Sequence, residues 1–148
     1  MPVAVVRGRS AAADGPVAVG VDGSPSSDVA LGLAFDAARA RGAELVAIRA
    51  YLAPGTAAVP ADVVVAHERE ALEESLAPWR HRYPDVKVEA LVAPGRAAKV
   101  LIGVSHTARL VVVGSRGHGG FAGLLLGSVG QQLMHHAECP VLIAHAAE

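Results

Sequence analysis

The sequence LVVVGSRG, at residues 110–117, joins a continuous apolar run to the start of a glycine-rich stretch. Four more short and mostly continuous apolar runs lie at 17–21, 45–48, 86–92 and 141–144, of which 86–92 is interrupted by Lys87 and Glu89. Continuous runs, in contrast to alternating ones, are typical of strands buried on both faces, as in a parallel sheet covered by helices. The run at 110–113 and its counterparts therefore predict the strands of such a sheet.

Stretches with helical spacing separate these apolar runs. The first is predicted to begin at a cap provided by Ser26 or Ser27 and to end at Gly42, and the second to begin at a cap provided by Asp62. Pro78 lies within the second pattern and predicts a kink or the end of that helix. Two further helices are expected over about 96–107 and 125–137. Alternating strands and helices predict an open α/β sheet, although the pattern alone does not fix the strand order.

Composition excludes several classes of protein. The 13 Lys and Arg residues are balanced by 14 Asp and Glu, so no basic excess is available to neutralise a nucleic-acid backbone. No apolar run approaches the roughly 20 residues of a membrane span, so we expect no membrane partner. The single cysteine, Cys139, excludes an internal disulfide and fits a reducing compartment. We therefore expect a soluble, cytoplasmic domain.

The glycine-rich stretch at 114–128 is the strongest local signal for chemistry. Glycine allows a ligand to approach the backbone closely, and successive amide N–H groups can form a concave anion site. A helix that starts near Ser128 would add unpaired N–H groups and the positive end of its dipole. The stretch lacks the Gly-Lys-Ser/Thr of a Walker A loop, and the dinucleotide fingerprint belongs on the first strand. The pattern favours polyphosphate binding, with a turn rich in glycine for steric reasons as the alternative.

Three motifs, in order and correctly spaced, resemble those of the universal stress protein family. They are VGVDGS at 19–24, VVVGSRG at 111–117 and CPVLI at 139–143. The spacing G-x2-G-x9-G-S over 114–128 is similar to that of the ATP-binding branch of the family. The resemblance covers residues 17–145 and implies an open five-stranded parallel sheet with helices on both faces and strand order 3-2-1-4-5. It also implies the adenine nucleotide alpha hydrolase-like fold and an ATP-binding role in stress response.

The resemblance also implies the positions of an ATP site. The expected nucleotide-binding residues are Asp22, Gly23, Ala47, Ile48, Val113, Gly114, Arg116, Gly117, His118, Gly119, Gly120, Gly127, Ser128 and Val129. Of these, Gly117, Gly119, Gly120, Gly127 and Ser128 would hold the phosphates and ribose. The end of the second strand and Val113 would line the adenine pocket. Plain core packing is the alternative for the apolar members. Arg116 and His118 are expected either to contact a phosphate or to lie in solvent.

Asp22 follows the first strand of the predicted sheet and would face the nucleotide. A bare carboxylate would repel polyphosphate, whereas a Mg²⁺ ion bridges the two through oxygen atoms. Asp22 is therefore the expected metal ligand. The alternative is a turn-forming aspartate before Gly23.

Three functions remain open from the sequence. The first is a regulatory domain that binds ATP with slow or no turnover, since no general base is evident beside the glycine-rich stretch; no catalytic residue is assigned in this case. The second is an ATP hydrolase or kinase-like enzyme that uses Asp22 and His118. The third is a nucleotide-free scaffold that acts by assembly.

Partners are expected at the last predicted strand, over 140–145. The family resemblance implies that this edge pairs with the same strand of a second subunit or domain, giving a homodimer or a tandem-domain contact. Residues 2–7 (PVAVVR) resemble residues 140–145 (PVLIAH), and residues 8–16 read as a linker. We interpret 1–16 as a strand and linker, a copy or remnant of a preceding similar domain, and 17–148 as the main domain. An ordinary N-terminal extension is the alternative; the first interpretation predicts pairing with 141–144.

Overall fold

A computed structural model of the chain describes residues 3–5, 14–52, 59–115 and 127–146. In these ranges six strands form one sheet and four helices cover it. The strands are β1 (Val3–Val5), β2 (Val17–Gly20), β3 (Leu45–Tyr51), β4 (Val88–Pro94), β5 (Leu110–Gly114) and β6 (Val141–Ala144). The helices are α1 (Pro25–Arg41), α2 (Ala61–Arg82), α3 (Ala97–Val104) and α4 (Ser128–His136).

The strand order across the sheet is β1-β6-β5-β2-β3-β4. Neighbours among β2 to β6 are parallel, and counted from β2 their order is 3-2-1-4-5, which confirms the expected open sheet. β1 adds an antiparallel strand at the edge of β6, with Ala4 opposite Leu142. The expected pairing of the N-terminal segment with 141–144 is therefore observed, whereas its origin in a preceding domain stays a prediction.

The sheet is buried on both faces because a pair of helices packs on each. Val17 and Val19 of β2 lie in the core under α1 and α2, together with Phe35 and Leu72. Ala18, between them, lies in the opposite core under α3 and α4. Since side chains alternate along a strand, a β2 with no polar face requires this two-sided burial. The continuous apolar runs of the sequence thus follow from the layered architecture.

The first helix begins earlier than the sequence predicts. Ser24, not Ser26 or Ser27, is its N-cap, because the Ser27 N–H donates to the Ser24 hydroxyl at 3.2 Å. Pro25 then occupies the first helical position, where its missing N–H is not needed. Ser26 and Ser27 are buried within the first turn. The helix ends as predicted at Gly42, which adopts a left-handed conformation.

The second helix is longer than the sequence predicts. Its cap residue is Pro60, and Asp62 lies inside the first turn, so the assignment of Asp62 as cap was wrong. Pro78 lies within the helix, which continues to Arg82, so Pro78 does not end it. Among the described residues, none of the helices combines the length and the apolar character needed to cross a bilayer.

An aromatic cluster joins α2 to α1. The rings of Phe35 and Tyr83 lie 5.3 Å apart between centroids, and Trp79 lies 6.4 Å from each. The Trp79 indole donates to Asp28 at 3.0 Å, and the Tyr83 hydroxyl donates to Asp36 at 2.5 Å. The bond to Asp36 raises the pKa of Tyr83, because it favours the protonated phenol. The cluster therefore fixes the C-terminal half of α2 by both packing and hydrogen bonds.

Candidate functional site

The strand order reverses between β2 and β5. From β2 the chain continues to β3 and β4 on one side of the sheet, and β5 and β6 lie on the other. Ligands of open α/β sheets bind outside the carboxyl ends of the strands at this reversal. The segments that follow β2 and β5 are therefore the first place to look for a site. They begin at Val21-Asp22 and at Ser115.

A tight turn follows β2. The Asp22 carboxylate accepts a hydrogen bond from the Ser24 N–H at 2.8 Å, and the Asp22 N–H donates to the Ser27 hydroxyl at 3.1 Å. Gly23 has a φ of 82°, a conformation that favours glycine. This is the turn-forming role that the sequence left open for Asp22. One carboxylate oxygen of Asp22 is thus engaged by the backbone.

The segment that follows β5 returns to the point where it left the sheet. The Gly127 N–H donates to the Ser115 carbonyl, and the Ser115 N–H donates to Ala144 of β6 at 2.7 Å. Helix α4 then begins at Ser128; its cap residue, Gly127, has no side chain to bond the first N–H groups, and its first turn holds no acidic residue. Its N-terminus therefore offers amide donors and a positive dipole end beside the strand.

Part of the expected phosphate site falls outside the described residues. Those positions are Arg116, Gly117, His118, Gly119 and Gly120. Their contacts with a nucleotide stay predictions. The described members of the same stretch are Gly114, at the end of β5, and Gly127 to Val129, at the start of α4.

Gly114 allows β5 to pack directly on the first turn of α1. A Cβ atom at this position would lie 2.8 Å from the backbone carbonyl carbon of Ser26 and 2.8 Å from the backbone nitrogen of Ser27. Backbone atoms cannot move aside as a flexible side chain can. Gly114 therefore has a packing role that is independent of any nucleotide.

A cavity of about 220 Å³ lies where β3 and β4 end and where α3 and α4 begin. We call it the helix-end cavity; it is lined by Ala50, Tyr51, Leu52, Gly95, Arg96, Ala97, Ala98, Ser128, Val129 and Gln132. The Gly95 N–H donates to the Tyr51 carbonyl at 2.8 Å, which holds the ends of β3 and β4 together. The cavity brings the expected residues Ser128 and Val129 together with a helix that the sequence did not assign to the site.

The helix-end cavity is electrostatically suited to an anion. Helix α3 resembles α4 in this respect: its cap residue makes no side-chain bond to the first N–H groups, and its first turn holds no acidic residue. Its cap residue, Arg96, adds a positive charge at the cavity wall. Among the described residues that line this cavity, none is acidic. Two positive helix ends and one guanidinium therefore act on the same space.

Asp22 and Gly23 line a different cavity of about 330 Å³, which we call the α2-side cavity. Its wall includes Arg49, whose Nε atom lies 2.7 Å from Glu68 in a half-buried ion pair. Helix α2 supplies the remaining lining residues, Ala71, Glu74 and Ser75. Among the cavities lined by described residues, Asp22 and Ser128 thus belong to different ones, both at the carboxyl edge of the sheet.

A metal at Asp22 would rely on oxygen atoms from outside the described protein. Within the described residues no three His, Cys, Asp or Glu side chains are grouped as metal ligands. Mg²⁺ commonly uses one or two carboxylates and takes its other ligands from substrate phosphates and water. The metal role of Asp22 stays a prediction, in which its carboxylate would be a single protein ligand to a phosphate-bound ion.

The residues expected around adenine are part of the core. Ala47 is buried under α1 and α2, whereas Ile48 and Val113 are buried in the opposite core. Farther along β3, Ala50 and Tyr51 line the helix-end cavity. The side chains that reach the cavity therefore lie beyond Ile48, although the role of the buried three in binding stays a prediction.

Most of the lining residues lie outside the set expected from the sequence, among them Gly95, Arg96 and Gln132. Gly95 has a φ of 123° and directly precedes the cap of α3. A glycine between an apolar run and a helix was the available signal, since Gly23 and Gly127 occupy comparable places before α1 and α4.

Comparison with known proteins gives the family context. The chain matches the model of the Universal stress protein family over residues 15–145. A universal stress protein of Mycobacterium tuberculosis (strain H37Rv) is 44% identical over 150 residues, covering 97% of this chain and 51% of its own length. One from Mycolicibacterium smegmatis is 43% identical over 150 residues, covering 96% and 50%. The chain thus spans about half the length of these curated relatives.

Solved structures show the same architecture. A universal stress protein in complex with cAMP has a TM-score of 0.70 and 27% identity, covering 90% of this chain and 99% of that chain. A universal stress protein from Archaeoglobus fulgidus DSM 4304 has a TM-score of 0.70 and 21% identity, covering 100% of this chain and 50% of that chain. At 21% identity, the similarity to the Archaeoglobus fulgidus structure concerns the fold alone.

Proposed function

Since this chain belongs to the universal stress protein family, we propose that it is an adenine-nucleotide-binding regulatory domain of a stress response. In this proposal ATP is held at the carboxyl edge of the sheet, with its phosphates on the N-termini of α3 and α4 and on the glycine-rich stretch. Turnover is slow or absent, and nucleotide occupancy is the regulatory signal.

The observation that carries the proposal is the convergence of two uncapped helix N-termini on one cavity. The first N–H groups of a helix lack partners within it, and a bound anion can satisfy them. The N-terminus of α1 does not offer this, since Ser24 caps it and Asp28 lies in its first turn. α3 and α4 have neither feature. The first turns of α3 and α4, unlike that of α1, are therefore suited to bind an anion.

An adenine nucleotide is the anion we favour. The structural neighbour at 27% identity binds cAMP, which combines an adenine base with a phosphate. In this chain the helix-end cavity places apolar atoms of Ala50, Leu52 and Val129 beside the two helix ends. A ligand with an apolar, aromatic base and an anionic tail matches both parts of this lining. The choice of ATP over a monophosphate is supported by the glycine-rich stretch of the sequence, since its successive amide N–H groups suit a polyphosphate.

Binding is favoured over catalysis by what the cavity contains. Among its described lining residues, none is Asp, Glu, His or Cys, so none can act as a strong general base near a phosphate. Asp22 lines the separate α2-side cavity. Hydrolysis would therefore depend on a group such as His118, outside the described residues.

The proposal includes a location and a partner. We place the domain in the cytoplasm, where ATP is available and a lone thiol such as Cys139 stays reduced. We infer that occupancy is read by a second subunit or domain on the side of the sheet at 140–145, where β1 covers the strand edge and has to be displaced before a partner strand can pair.

Two measurements test nucleotide binding. Purified protein is denatured and the supernatant is analysed by mass spectrometry for released adenine nucleotide, and stripped protein is titrated calorimetrically with Mg-ATP and, separately, with cAMP. We expect the denatured protein to release ATP, or the stripped protein to bind Mg-ATP in the titration, or both. Protein that is isolated empty and does not bind Mg-ATP at millimolar concentration would contradict the proposal and favour a nucleotide-free scaffold. Phosphate release above background that Asp22→Ala abolishes would favour the hydrolase instead.

A further inference from the structure

The edge of β6 is occupied by a strand from the other end of the same chain. β1 runs antiparallel to β6, with Val3 opposite Ile143, Ala4 opposite Leu142 and Val5 opposite Val141. β5 lies on the other side of β6. The backbone groups that β6 would otherwise present at an open edge are therefore paired within the chain.

β1 resembles β6 in sequence, and its register matches that resemblance. Residues 2–7 (PVAVVR) align with 140–145 (PVLIAH), so that Ala4 corresponds to Leu142. In the sheet Ala4 also lies directly opposite Leu142. The strand pair is thus centred on corresponding residues, and the apolar triplets 3–5 and 141–143 overlap completely. A second β6 placed on this edge, centred on its own Leu142, would occupy the position that β1 takes.

The two edges of the parallel sheet differ in their protection. β4, at the far edge, carries Glu89 and ends in Pro94, and both kinds of residue discourage pairing with another strand. β6 reads VLIA and contains neither a charge nor a proline. No residue of β6 therefore discourages pairing with an incoming strand. Protection of this edge depends instead on a strand that already pairs with it.

We propose that β1 is a built-in cap that takes the place of the last strand of a second copy of this chain and closes the β6 edge to it. The expected occupant of the uncovered edge is a second β6, paired antiparallel about Leu142. The cap consists of three residue pairs, so it is short enough to be displaced when it is weakened. This inference is independent of nucleotide binding.

The first test breaks β1 in the full chain. Successive N–H groups of a strand point to opposite sides, so in Ala4→Pro/Val5→Pro one of the two lost donors faces β6. The matched control is Ala11→Pro/Ala12→Pro, in the same N-terminal stretch beyond β1. Light scattering after gel filtration is expected to give the 15.0 kDa monomer for the wild type and the control. The β1 variant is expected to reach twice this mass as concentration rises. A β1 variant that stays monomeric, with its circular dichroism unchanged, would overturn the proposal.

The second test does not depend on a disruptive variant. Directly opposed residues of an antiparallel pair lie about 4.5–5.5 Å apart at Cα, within the range that a disulfide spans. Ala4→Cys/Leu142→Cys should therefore form a disulfide within one chain and stay monomeric at every concentration. The control Val3→Cys/Leu142→Cys, displaced by one residue, should cross-link much more slowly. Cross-links that form mainly between chains in the first variant would show that β1 does not cap its own β6, and the proposal would be wrong.

Discussion

The backbone N–H of Gly127 donates a hydrogen bond to the carbonyl of Ser115. This one bond joins the residue that follows β5 to the cap of α4, and so it brings both ends of the glycine-rich stretch to the same point. The amide groups that begin α4 are consequently fixed relative to the sheet. The position of the proposed phosphate site therefore depends on the backbone rather than on a particular side chain.

A negative charge at the start of α4 should change stability and binding in opposite directions. Ser128→Asp interacts favourably with the helix dipole and should stabilise the protein by about 0.3–1 kcal/mol. The same carboxylate faces the helix-end cavity and would repel a phosphate, so we expect Mg-ATP affinity to fall at least roughly tenfold. Urea denaturation and calorimetric titration measure the two effects.

Gln131→Asp is the matched control for Ser128→Asp. Gln131 lies in the first turn of the same helix but does not line the cavity. Its substitution should leave the dissociation constant within about twofold, because the added charge lies outside the binding space. Equal loss of affinity in both variants would indicate a general charge effect and would count against the proposed site.

Arg96 should contribute to affinity although it was not predicted from the sequence. It lies at the cap of α3, on the wall of the helix-end cavity, and is exposed to solvent. Contacts between exposed charges contribute up to about 1 kcal/mol, so Arg96→Ala should weaken Mg-ATP binding roughly fivefold. Lys99→Ala removes the same charge from an exposed position on α3 that does not line the cavity, and should have little effect. The proposed role of Arg96 is wrong if the two variants bind alike.

Gly114→Ala should destabilise the protein, because the new methyl group would meet the backbone of Ser26 and Ser27. Overpacking of this kind typically costs about 1–3 kcal/mol. Gly103→Ala is the control, since a Cβ atom there meets nothing within 4 Å and the residue is helical. That substitution should raise the free energy of unfolding by up to about 1 kcal/mol. Urea denaturation of the two variants checks the expected difference in sign.

The thiol of Cys139 should make stability fall in alkaline solution. Burial raises its pKa from 9.0 to about 11. Between these values the unfolded thiol loses its proton while the folded one keeps it, so the contribution is complete below pH 9 and is lost as pH approaches 11. Tyr83, whose pKa is also raised, acts in the same direction. The free energy of unfolding should therefore decline less steeply in Cys139→Ser than in the wild type. Identical slopes would contradict the shift.

The strands were predictable because continuous apolar stretches of the sequence indicate burial on both faces. Val17 to Val19 and the run at 110–113 have no polar face, and only a sheet covered on both sides accommodates them. The order of the strands came from a family resemblance instead, since no local pattern records which strand lies beside which. The cap of α1 was misassigned because three serines surround Pro25, and each of them is chemically able to cap.

The site was harder to predict than the fold. Ser128 and Val129 were found because a glycine-rich stretch precedes them along the chain. Arg96 and Gln132 reach the same cavity from different helices, and their proximity arises from the packing of α3 on α4. Asp22 is the opposite case. Its position after the first strand predicted a place beside the phosphates, but in the structure it lines the α2-side cavity. Sequence spacing locates residues along one segment, whereas a cavity is assembled from several.

Trp79, the one tryptophan of the chain, has a consequence for how binding is observed. Its ring lies among Phe35 and Tyr83, and its indole is bonded to Asp28; none of these lines the helix-end cavity. Intrinsic fluorescence will therefore report the melting of the α1–α2 layer and remain nearly silent to ligand. Nucleotide binding should therefore be followed by calorimetry, mass spectrometry or a labelled nucleotide analogue. Tryptophan fluorescence then measures folding in every variant without a contribution from the ligand.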